Sequence, residues 1–171
     1  MLSEKLTSAL SEQVNAEYHS AYIYLSMSAA AGGMGLNGVA NWLFSQAQEE
    51  MAHGTNIYEY ILERGATPTF EAIEKPPTSF ASVNEIFEMT LAHEKKVTKR
   101  INDIATLAMQ EYDHACYQFM MWYVNEQVEE EASATAILDK LQLIGDNKGL
   151  LLSLDNELSN RVFVNPFTAK E

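Results

Sequence analysis

Apolar side chains recur every three or four residues along most of the chain, the spacing that lines one face of an α-helix. Four stripes stand out. The first reads Leu10, Val14, Glu17, Ala21, Tyr24, Ser28, and the second Val39, Leu43, Gln46, Glu50, His53, Ile57, Tyr60. The third reads Val83, Phe87, Thr90, Glu94, Val97, Ile101, Ile104, Ala108, and the fourth Met120, Tyr123, Gln127, Glu130, Ala134, Ile137, Leu141. Punctuation between the stripes sets the boundaries. Ser3 can cap a helix over 4–31 that stops at Gly32-Gly33-Met34-Gly35. A second helix is predicted over 37–64, closed by Gly65, and a third over 83–110 behind Ser82. After the turn Glu111-Tyr112-Asp113 comes a fourth over 114–144, and a short fifth over 150–159.

The connection over 65–82 holds Pro68, Pro76 and Pro77 and has no helical pattern. So long an unstructured link inside a compact domain needs a reason. Extended at ~3.3 Å per residue it can reach ~55 Å, more than the ~40–45 Å length of each long helix. The second and third helices can therefore run parallel. The predicted architecture is all-α: a four-helix bundle with one long crossover between the second and third helices, plus a short C-terminal helix. One domain is expected over 1–171.

Every stripe is mostly apolar, yet each carries a carboxylate near its middle: Glu17, Glu50, Glu94 and Glu130. A lone acid on such a face has an ordinary explanation as a tolerated buried group, but four, one per helix, do not. The midpoint between Glu17 and Glu50 falls between Gly33 and Met34, and that between Glu94 and Glu130 falls on Tyr112. Both midpoints are turns, so each antiparallel hairpin brings its two acids to one level. Acids in an apolar interior must be paired, neutralised or bound to a metal. Glu50-x-x-His53 adds an imidazole at i, i+3 on the same helical face. Oxygen donors with one imidazole suit Fe(II) or Zn(II), and four carboxylates balance two divalent ions better than one.

Composition narrows the class further. The 171 residues carry 24 acidic and 11 basic side chains, a net charge of −13, which argues against nucleic acid and suits cations. A single cysteine, Cys116, excludes an internal disulfide and a Cys-rich zinc module, and a cytoplasmic location is expected. The start of the chain does not look like a secretory signal. The stretch 18–48 lacks Asp, Glu, Lys and Arg, but glycine, serine and asparagine interrupt it too often for a membrane span.

The chain resembles the prokaryotic non-haem ferritins from Glu4 to about Ser159. The likeness rests on Glu17 with Tyr24, Glu49-Glu50-Met51-Ala52-His53, Glu94, and Asn125-Glu126-Gln127-Val128-Glu129-Glu130. Di-iron helix bundles often carry a second Glu-x-x-His; here Gln127-x-x-Glu130 stands in its place. The resemblance implies a ferroxidase centre in which Glu17, Glu50 and His53 hold one iron, with Glu50 bridging. Glu94 and Glu130 would hold the second, with Gln127 nearby. A third iron site would use Glu49, Glu126 and Glu129, and Tyr24 would give a hydrogen bond or an electron. It also implies a hollow shell of 24 copies that oxidises Fe(II) with dioxygen or hydrogen peroxide and stores a ferric oxyhydroxide mineral, with the fifth helix near the four-fold axis.

Two departures within the wider family are visible. Acids at the three-fold pores of eukaryotic-type ferritins align with Tyr117 and Met120, so that uptake route is not expected. Met51 aligns with a haem-ligating methionine of bacterioferritins, but is expected in core packing, with no haem. His19, His93, His114 and Glu131 are expected in solvent, and Trp42, Trp122 and the eight methionines in packing. Two other readings of the residues stand beside this one. A di-iron peroxidase of the rubrerythrin kind would normally add a second Glu-x-x-His and a CxxC domain, and a non-metallic helical interaction module would need basic partners mid-stripe. The four stripes contain neither Lys nor Arg.

Overall fold

A computed structural model describes residues 1–168; the last three positions of the expected single domain lie outside the described residues. Five helices follow in order: α1 (Glu4–Gly33), α2 (Asn37–Glu63), α3 (Val83–Gln110), α4 (His114–Ile144) and α5 (Lys148–Leu158). The fold is all-α, with no strand among the described residues. None of these helices is long and apolar enough to cross a membrane.

Local chemistry accounts for the helix starts. Ser3 Oγ accepts from the Leu6 amide at 3.1 Å, Ser82 Oγ from Glu85 at 3.2 Å, and Asp113 from Cys116 at 2.9 Å. Asn147 caps α5, which is why that helix begins at Lys148 rather than at 150. Helix α1 outlasts its expected end by two residues, since the Met34 amide still bonds back to Ala30 and Ala31. Leu36 gives α2 no side-chain cap. Asp155 of α5 supplies it from afar, accepting from the Val39 amide at 2.8 Å. The approach is so close that a Cβ on Gly38 would lie 1.6 Å from the Asp155 carbonyl oxygen, so only glycine fits there.

α1 packs along α2 and α3 along α4, and α1 and α3 join the two hairpins. The second and third helices run parallel. Trp42 near the start of α2 meets Phe87 near the start of α3, with ring centroids 5.4 Å apart. At the other end of α2, Arg64 pairs with Asp113 at 2.7 Å. The crossover lies along α1, held by Ser11 and Asn15 at Thr69 and Glu71, and by Ser26 at Pro77.

The apolar interior is divided in two. One cluster gathers Tyr24, Met27, Leu43, Ile86, Phe87 and Leu141 toward the α5 end. The other gathers Leu6, Leu10, Ile57, Ile61, Ile101 and Met120 toward the far end. The layer between them is polar, and the mid-stripe acids lie in it.

Candidate metal centre

Glu17, Glu50, His53, Glu94, Gln127 and Glu130 are each at most 6 % exposed, so the stripes have the expected faces inward. One donor atom from each of Glu17, Glu50 and His53 lies within 4.8 Å of the others. His53 Nδ1 is 3.7 Å from Glu50 Oε2. Glu17 Oε2 and His53 Nε2 are buried and have no hydrogen-bond partner. Buried donors and acceptors are almost always satisfied, and two orphans aimed into one acidic cluster fit a missing cation.

The remaining acids are held by neutral donors. Gln46 Nε2 donates to Glu50 Oε1 at 3.1 Å and to Glu130 Oε1 at 2.7 Å, joining the two hairpins across the waist. Gln127 Nε2 donates to Glu94 Oε2 at 3.1 Å, and the Tyr24 hydroxyl donates to Glu94 Oε1. Gln13 Nε2 donates to Glu17 Oε1 at 2.8 Å, while its own Oε1 accepts from Arg100 at 3.1 Å. Burial, with repulsion from neighbouring acids, raises the carboxyls of Glu17 and Glu50 well above their usual range. Burial raises Glu94 as well, against the pull of its bonds from Tyr24 and Gln127. Glu130 is pushed up to about 8 by burial and by Glu94. Without a cation, this layer holds protons.

A second group lies on the adjoining surface: Glu49, His53 and Glu126 each offer an atom within 4.8 Å of the others. Burial also raises Glu126. Glu129 is exposed and stands outside this group, though its charge reaches Glu126. Of the three residues expected at a third iron site, two are therefore brought together.

Several expectations need correction. His93 is not in solvent: its Nε2 lies 2.7 Å from Ser20 Oγ and its ring meets Tyr24 edge to face at 6.1 Å. Burial, with His19 and Lys96 nearby, lowers its pKa to about 4. His19 is half-buried, whereas His114 is exposed as expected. Glu131 is half-buried and accepts from Thr98 at 2.6 Å. Met51 is 49 % exposed rather than packed in the core, because its place next to Glu50 turns it about 100° away from the inward stripe. Of the eight methionines, Met27 and Met120 are buried, while Met1, Met34, Met51 and Met109 are exposed. Trp42 does pack, and Trp122 lies against His53 at 5.4 Å.

The stripes also missed supporting residues. Gln13 flanks its stripe by one position, and Gln46 lies on a stripe among the acids it bonds, where its residue type alone signals no role. Arg161, paired with Glu49, lies beyond the last helix where no periodicity points to it.

Fold and site together define a four-helix bundle with a buried cluster of carboxylates and one imidazole at its waist, a donor set that suits a metal. A family model for the ferritin-like domain matches residues 7–144. A bacterial non-heme ferritin of Staphylococcus saprophyticus is 41% identical over 163 residues, covering 95% of this chain and 98% of that protein. A probable bacterial non-heme ferritin-like protein of Haemophilus influenzae is 40% identical, with 94% and 97% covered. The solved open-pore ferritin of Archaeoglobus fulgidus superposes with a TM-score of 0.93 at 48% identity, covering 94% of this chain and 98% of that one. The chain belongs to the ferritin family.

Proposed function

We propose that this chain is the subunit of a cytoplasmic iron-storage shell of 24 copies, and that its waist is a ferroxidase centre. The observation that carries the reading is the pair of orphaned buried atoms, Glu17 Oε2 and His53 Nε2, within the Glu17–Glu50–His53 cluster. In this reading these three residues take one Fe(II), and Glu94 and Glu130 take a second. Glu50 and Glu130 share the Gln46 amide, which makes Glu50 the link between the two sets in this reading. Gln127 and Tyr24 fix the Glu94 carboxylate by hydrogen bonds.

The chemistry follows from the ligands. Hard oxygen donors stabilise Fe(III) over Fe(II), so iron held here gives up an electron readily. Two Fe(II) ions supply two electrons, and dioxygen takes these with two protons to become hydrogen peroxide; peroxide can serve as the oxidant in turn. Protons displaced from the raised carboxyls when iron binds are available for that reduction. A glutamine at position 127, in place of a second imidazole, leaves the oxidised metal loosely held, so it can pass into the mineral store.

Rapid mixing of Fe(II) with the metal-free protein in air tests the reading. The wild type should give a fast ferric absorbance phase saturating at two irons per chain. Glu50→Ala should slow it at least a hundredfold, because both sites lose a ligand. An unchanged fast phase in that variant would overturn the assignment.

A further inference from the structure

Beyond α5, residues 161–168 stay against the bundle. Arg161, Phe163, Asn165 and Phe167 are half-buried, while Val162, Val164, Pro166 and Thr168 are exposed. Over 161–165 this alternation is that of an extended segment with one face down, and a turn at 166–168 follows. Asn41 Nδ2 donates to the Arg161 carbonyl oxygen at 2.9 Å, and Phe167 lies on Trp122 with centroids 4.6 Å apart and 6.0 Å from His53. Five extended residues span ~17 Å before the turn that carries Phe167, and twelve helical residues from Asn41 to His53 rise ~18 Å. The segment therefore runs as a strap along α2, past the outer edge of the metal centre.

Its cation among the described residues, Arg161, is seated among that edge's acids. Arg161 Nη2 pairs with Glu49 Oε2 at 2.5 Å, and both side chains are about four-fifths covered. The guanidinium carbon lies 4.4 Å over the Trp42 ring, and Nη1 is buried without a partner. Glu49 also belongs to the group with His53 and Glu126. One carboxylate thus serves two cations, one built into the chain and one to be acquired.

We infer that Arg161 is the resident cation of the Glu49–Glu126 pair, and that a metal ion binds there only by taking Glu49 from it. Arg161 thereby sets how weak this outer site is relative to the waist, and Phe167 tethers the strap that returns it. The exchange is a binding equilibrium and needs no redox step. It rests on the metal reading given above.

Zn(II) titration of the assembled, metal-free protein by calorimetry tests it without oxidation chemistry. The wild type should show a tight class of sites at the waist and a weaker class that Glu49→Gln removes. Arg161→Met should tighten the weak class about tenfold and leave the tight class unchanged. Arg161→Lys, which keeps the charge, should stay near the wild type, and Phe167→Ala should tighten the weak class by a smaller factor, roughly twofold to threefold. If Arg161→Met leaves the weak class as it was while Glu49→Gln removes it, the outer site stands and the role of Arg161 is overturned. If Glu49→Gln changes nothing, no ion uses Glu49, and the outer site and the inference fail together while the waist keeps its tight class.

Discussion

A carboxyl buried at the waist either holds a proton or shares a cation. Glu130 makes the choice measurable. Its folded-state pKa of about 8 exceeds its usual value, so the metal-free folded protein binds a proton there more tightly than the unfolded chain does. The stability this gives is complete below the usual carboxyl range and is lost as pH rises through about 8. Melting of the metal-free protein should therefore fall between pH 5 and 8, and Glu130→Gln should flatten that slope. Zn(II) loading near pH 6.5 should release roughly one or more protons per chain, read in weakly buffered solution. Gln46 is the matching donor: with Gln46→Leu, Glu50 and Glu130 lose their shared amide, and the metal-free protein should be about 1–3 kcal/mol less stable in denaturant titrations. Metal loading should recover most of that loss.

Between elements, the close approaches decide where the ligands stand. A Cβ at Gly54 would lie 2.7 Å from the Tyr18 ring and 3.2 Å from Glu17 Cβ. Gly54→Ala should thus push α1 from α2 beside the first ligand, costing about 1–3 kcal/mol and slowing Fe(II) oxidation. Such contacts explain what was readable in the sequence and what was not. The helices and the six waist residues were legible because burial has a period, and a carboxylate on an apolar stripe breaks it visibly. Gln13 and His93 stand next to stripe positions, where periodicity alone leaves burial undecided. The cap given by Asp155 to α2 joins residues more than a hundred positions apart, and no local pattern announces it. The strap left no trace either: half-buried Arg161, Phe163, Asn165 and Phe167 alternate with exposed Val162, Val164 and Pro166, so polarity does not mark which face lies down.

At the scale of the assembly, 24 copies of 19.2 kDa should elute as a particle of about 460 kDa, whereas a dimer would leave the mineral no container. A net charge of −13 on every copy gives such a particle a strongly anionic surface that draws cations toward it. Uptake of Fe(II) should accordingly slow as ionic strength rises, a dependence that stopped-flow rates in increasing NaCl would show.

The divided core bears on how a storage protein survives being emptied. Apolar lobes close above and below the waist, each drawing on all four long helices, much as two hoops hold a barrel. A metal exchanged at the waist therefore acts on a polar slab, and the lobes on either side keep the staves in place while it does.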